Sequence, residues 1–192
     1  MSNCYADLNM NSFQVKNVTT PTADTDGVTK LMTDTNAIDY IRCENTVSGS
    51  TTTDFSVADP ARAVAQLTGS STIVGSFSVS GNGIQCDFTG TALFSVNMII
   101  EGNGGFARQE AACRLRRTRS AVTTEVGPIS TCDYIRNQSY GIDDSSVHFN
   151  TIQPVVSGDL FEVVAYRNCT TSNPMYLSST VGSCNFCAFR IG

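Results

Sequence analysis

The chain has 192 residues, 41% hydrophobic and only 15% charged, which is apolar enough to build a packed core and excludes a disordered tail. Its net charge of −5 argues against a general nucleic-acid binder, which would be basic. The longest strongly apolar run, near Phe94 and Ile100, is far short of a membrane span, so no membrane insertion is expected.

The opening residues are polar and carry no charged-then-apolar leader, so synthesis in a cytoplasm is expected. Residues 6–30 alternate apolar and polar side chains, break at Pro21 and resume with helical spacing. Leu8, Met10, Phe13, Val15 and Val18 are too few to bury themselves in one small hairpin, and would find cover if copies of the chain wrap together. Val28, Leu31, Thr35 and Ile38 then step by three, four and three, the spacing of a coiled-coil seam, with Asp26 placed to cap it. An ordinary surface helix or a short trimeric collar would both show this spacing, and the collar is the expectation because the preceding segment needs partners too. Trimerisation is therefore assigned to Leu8, Met10, Phe13, Val15, Val18, Val28, Leu31 and Ile38.

Residues 45–56 are rich in Ser, Thr and Gly and nearly uncharged, which indicates a linker. The expected organisation is a stalk over 1–44, a neck over 45–60 and a head over 61–192. From residue 61 the chain becomes a series of short strand-like runs: 64–67, 73–79, 84–88, 92–100, 112–117, 121–126, 131–135, 147–155, 160–166 and 185–191. Gly, Asn, Asp and Ser fill the gaps, a pattern that predicts an all-β sandwich or barrel.

Two resemblances sharpen this reading. Leu8, Met10, Val15, Asn17, Val18, Pro21, Asp26, Val28 and Lys30 match, in spacing and type, a repeat found in virus and phage fibre proteins. In the head, QCDFTGTALFSVNMI, SVHFNTIQPVVSGDLFEVVAY and the terminal NFCAFRIG resemble, in order and spacing, strands of the tumour-necrosis-factor and complement globular-head superfamily. The basic stretch from Arg114 to Cys132 departs from that pattern. The resemblance implies a ten-stranded, homotrimeric jelly roll with both chain ends at its base. It also implies that the loops over 101–110, 137–146 and 169–183 lie at the far tip. Recognition is then expected from Phe106, Arg108, Tyr140, Asp143, Asp144, Met175 and Tyr176, because exposed aromatics and arginine give large contact area with a polar handle.

Catalysis and cofactors have little to stand on. His148 is the only histidine, expected to be partly buried on a strand beside Asn150 and Ile152, and no G-x-S-x-G nucleophile motif accompanies it. Asp143 and Asp144 lack calcium-loop spacing and read as a solvated turn. Cys184 and Cys187 form a lone C-x-x-C without a second pair, so no metal is expected. The eight cysteines are expected to be mostly free, buried thiols. Arg114, Arg116, Arg117 and Arg119 split two to each strand face, which suits a solvated edge or intersubunit ion pairs with Asp and Glu of neighbouring copies better than a phosphate groove; a patch for acidic glycans is the functional alternative. Asn17, Asn137 and Asn168 begin N-x-S/T sequons, expected to be coincidental if no leader directs secretion; a eukaryotic secretory route would make Asn137 and Asn168, at predicted loop edges, acceptor sites. The sequence thus suggests a non-enzymatic virion fibre or spike. Its expected partners are a capsid or tail protein at the N-terminus and a host-cell surface receptor or glycan at the head. A decoration or minor capsid protein is the alternative.

Overall fold

The computed structural model describes residues 39–46, 53–102, 109–132, 135, 144–170, 173–178 and 180–191. All belong to one compact unit, Ile38–Gly192. The expected helix and all eight residues assigned to stalk trimerisation, Leu8 to Ile38, lie outside the described residues.

Among the described residues there are twelve strands and no helix. They are β1 (Tyr40–Glu44), β2 (Ala63–Val64), β3 (Gly69–Val74), β4 (Phe77–Ser80), β5 (Gly83–Cys86), β6 (Gly90–Gly102), β7 (Ala111–Arg119), β8 (Val122–Thr131), β9 (Asp144–Val155), β10 (Asp159–Arg167), β11 (Met175–Leu177) and β12 (Asn185–Arg190). One antiparallel sheet runs β9–β6–β12–β1–β3, with β11 continuing beyond β12 along the same edge of β6. The other runs β4–β5–β10–β7–β8, with β2 continuing beyond β5 along β10. Beyond the two shortest strands, β2 and β11, ten remain, and the two sheets make the expected jelly-roll sandwich.

Period-two alternation drives the sandwich. In β6, Ala92, Phe94, Val96, Met98 and Ile100 are buried while the residues between them face outward. The sheets meet where the Phe94 ring lies 4.2 Å from that of Phe161 and 6.0 Å from that of Phe186, centroid to centroid. Tyr40 pairs with Phe189, so the start of β1 and the end of β12 share one end of the sandwich, here the base. Gly102, Ala111 and Arg167 lie at the opposite end, the tip.

Three expectations need correction. The run 73–79 is two strands, because the chain turns at Gly75 (φ 80°), where a Cβ would lie 1.9 Å from the Asp39 carboxylate. The head does not begin at residue 61: Tyr40–Glu44, expected to be stalk, is hydrogen-bonded between β12 and β3. The described part of the neck belongs to the head as well. Phe55 is wholly buried and donates its N–H to the Met175 carbonyl at 2.7 Å, and buried Asn45 holds Ser178, Thr180 and Cys184. Apolar and amide groups hidden in a Ser/Thr-rich stretch do this, and composition averages them away.

Candidate recognition site

β10 ends at the tip, and there the main chain of residues 57–62 runs alongside it. Ala58 bridges Arg167, and the Arg167 N–H bonds the Val57 carbonyl at 2.8 Å. The Asn168 N–H bonds the Glu110 carbonyl at 2.8 Å, which ties the end of β10 to the start of β7. These contacts hold the walls of a groove of about 470 Å³ lined by Ala58, Asp59, Tyr166, Arg167, Asn168, Cys169 and Thr170. That volume falls within the range of small-ligand sites.

One flank of the groove is fixed by charge. Arg62 lies over the Tyr166 ring, 3.9 Å from ring centre to guanidinium carbon. It donates to Asp59 at 2.7 Å and to Glu125, which also accepts from Arg114 at 3.2 Å. The ring and two carboxylates orient the guanidinium, so Tyr166 and Asp59 are presented in a set geometry.

Three of the four clustered arginines are neutralised within the subunit, and Arg117 has no ion pair among the described residues. Arg114 and Arg116 point outward and pair with Glu125 and Glu162, the latter at 2.7 Å. Arg119 points inward and grips buried Asp159, with its Nε 2.7 Å from Oδ1. This split across two faces follows the sequence reading, but the partners lie in the same chain. The acidic-glycan patch suggested for these four residues is therefore largely spent on internal ion pairs.

Of the expected recognition residues, Phe106, Arg108, Tyr140 and Asp143 lie outside the described residues. Asp144 is exposed at the start of β9. Tyr176 is half-buried in β11 opposite Glu101. Met175 does not meet the expectation of an exposed loop: it is wholly buried, because β11 pairs with β6 and residues 53–57 close over it. Sequence reasoning missed Tyr166, Arg167 and Thr170. The available signal was the turn-forming Asn168-Cys169-Thr170 directly after a strand ending in Tyr-Arg.

A second surface covers the outer face of the β9–β6–β12–β1–β3 sheet. Strand register places Val74, Tyr40, Phe189, Leu93 and Ile152 side by side in one row across all five strands. Tyr40 and Phe189 stack, with centroids 6.1 Å apart, and Ile152 is 61% exposed. The next row toward the tip holds Arg42, Cys187, Ser95 and Asn150, and the one after it holds Glu44, Asn185, Asn97 and His148. The face is thus apolar near the base and polar toward the tip. His148 shares it with Asn150 and Ile152, as the alternation implies, but is exposed rather than partly buried.

None of the seven described cysteines is in a disulfide, and five of them are buried. Burial, with a smaller contribution from Cys187, pushes the Cys43 thiol up to about 11; burial, then Asp159 and Asp87, pushes Cys86 up to about 12. Cys184 is buried and accepts the Ile99 N–H at 3.2 Å, whereas Cys187 sits on the outer face, so the two do not converge.

No protein-family model matches the sequence, and no curated protein matches it. Solved structures do match the fold. Eiger TNF from S. frugiperda aligns with a TM-score of 0.52 at 11% identity, over 82% of this chain and 94% of that one. Murine APRIL, in its pH 8.5 crystal structure, aligns at 0.54 and 11% identity, over 80% of this chain and 99% of that one. Identity this low speaks for architecture alone: the head is a tumour-necrosis-factor-like jelly roll.

Proposed function

We propose that this chain is a homotrimeric virion fibre protein whose jelly-roll head attaches the particle to a receptor or glycan on a host cell. It acts by binding rather than catalysis. The observation that carries the assembly is the row Val74–Tyr40–Phe189–Leu93–Ile152. A continuous apolar stripe across a sheet is costly to leave in water, and burial recovers roughly 25 cal/mol per Å². Three copies packed sheet face to sheet edge would cover it and point all three tips the same way. Three weak tip sites then act together on a repetitive surface.

The virion assignment is supported by the fibre-like repeat over residues 8–30. In this reading the N-terminal segment joins a capsid or tail protein and the head faces outward. Particles purified from infected cells should contain the chain, and particles lacking it should fail to adsorb. Its absence from purified particles would contradict the reading. Particles that lack it yet adsorb normally would make it a decoration protein.

A further inference from the structure

The groove at the end of β10 contains hydrogen-bonding groups that the fold does not use. Among the described residues, the Arg167 guanidinium has no ion-pair partner, and neither the Tyr166 nor the Thr170 hydroxyl has a hydrogen-bond partner. This contrasts with the surroundings. Of the other described arginines, Arg42, Arg62, Arg114, Arg116, Arg119 and Arg190 each pair with a carboxylate of the same chain, and Arg117, which has no ion pair either, lies outside the groove with its Nε buried. The nearby carboxylates are already engaged: Asp59 with Arg62 through Oδ1, and Glu110 with the Asn168 amide at 3.4 Å. Arg167 is therefore an uncommitted cation on the wall of a cavity in an otherwise acidic chain.

We propose that this groove binds an acidic saccharide, with Arg167 taking the anionic group of the sugar. The guanidinium presents a planar fork of N–H donors that matches the paired oxygens of a carboxylate or sulfate. The Tyr166 and Thr170 hydroxyls and the Asn168 carboxamide donate to or accept from ring hydroxyls. Asp59 Oδ2 accepts a further hydroxyl proton. Hydroxyl and amide groups lining the same groove as a cation suit a polyhydroxylated anion better than an apolar ligand, and a cavity of about 470 Å³ holds one or two sugar rings. Arg62, clamped over Tyr166, positions the ring without touching the anion.

The inference rests on the recognition role proposed above, and it is tested by titrating the purified full chain with three probes. These are a sialylated trisaccharide carrying a carboxylate, a sulfated disaccharide carrying a sulfate ester, and neutral lactose. At least one acidic sugar should bind about tenfold more tightly than lactose, and the tighter of the two identifies the anionic group. R167Q should weaken that binding about tenfold, while R116Q, whose partner Glu162 lies outside the groove, should leave it unchanged. T170A should weaken it a few-fold, which keeps the test informative if R167Q melts early. Equal binding of lactose and the acidic sugars, no binding of any sugar, or binding that survives R167Q in a folded variant would each overturn the assignment. Sedimentation of the same samples separates this from the assembly: a trimer that binds no sugar overturns the glycan site alone, whereas a monomer that binds acidic sugar upholds the site and overturns the trimer.

Discussion

Asp159 is the only wholly buried carboxylate among the described residues, and it sits at the base where β9 turns into β10. Burial alone would raise its pKa. The Arg119 hydrogen bonds, the Val156 N–H at 2.9 Å and the nearby Arg117 charge outweigh that and hold it below the ordinary carboxylate value. A carboxyl with a depressed folded-state pKa stabilises the fold above its unfolded value, near 4, and loses that contribution as pH falls through the folded value. D159N should cost about 2–3 kcal/mol at pH 7 in urea unfolding, less than a fully enclosed pair because Arg119 still reaches water. It should also flatten the decline in stability below pH 4. The thiols act at the opposite end of the scale. Cys43 and Cys86 are raised to about 11 and about 12, chiefly by burial. Their protonated forms favour folding below the unfolded value of roughly 8.5, and this is lost as pH rises toward the folded values. The urea midpoint should therefore fall between pH 8.5 and 10.5, and C86A should fall less steeply over that range.

Among the elements, the β7–β8 hairpin carries visible strain. Ser120 and Ala121 both have positive φ, 49° and 64°, as a two-residue turn of this handedness requires, yet neither is Gly or Asn. A121G should raise stability by about 1 kcal/mol in thermal or urea unfolding, by removing the Cβ from the left-handed region. A decrease would show that the Ala121 side chain contributes more than its backbone costs. The same element shows what the sequence makes legible. Strands long enough to display alternation, such as β6 and β9, and the Ser157-Gly158-Asp159 turn were readable locally, and their order led to the right fold. The strand β1 was not, since YIRCE is five residues whose pairing depends on β12, far away in the chain. The break at Gly75 was hidden for a similar reason: the approach of Asp39 and the positive φ that demand glycine there exist only in the folded chain. The tip groove was hardest to foresee, because residues 57–62, 110 and 166–170 meet only after folding. The arginine cluster was half legible: alternation gave the two faces, but its partners Glu125, Asp159 and Glu162 come from register.

For the whole molecule, polarity is graded from base to tip. Apolar side chains gather on the outer face near the base, where both ends of the described chain lie, and the open polar groove is at the tip. In the proposed assembly the lower half is buried among copies of the chain and the upper end is offered to a ligand. Leu93 lies within the row, between Phe189 and Ile152, and faces away from its own core. L93D should therefore leave the subunit fold almost unchanged while placing a charge where the copies meet, which unpaired burial makes prohibitive. The most direct measurement is sedimentation velocity of the full chain and of L93D at micromolar concentration. The assembly proposed here predicts a species three times the 20.5 kDa chain mass for the wild type and dissociation for L93D; a wild-type monomer, or a trimer indifferent to L93D, would contradict it.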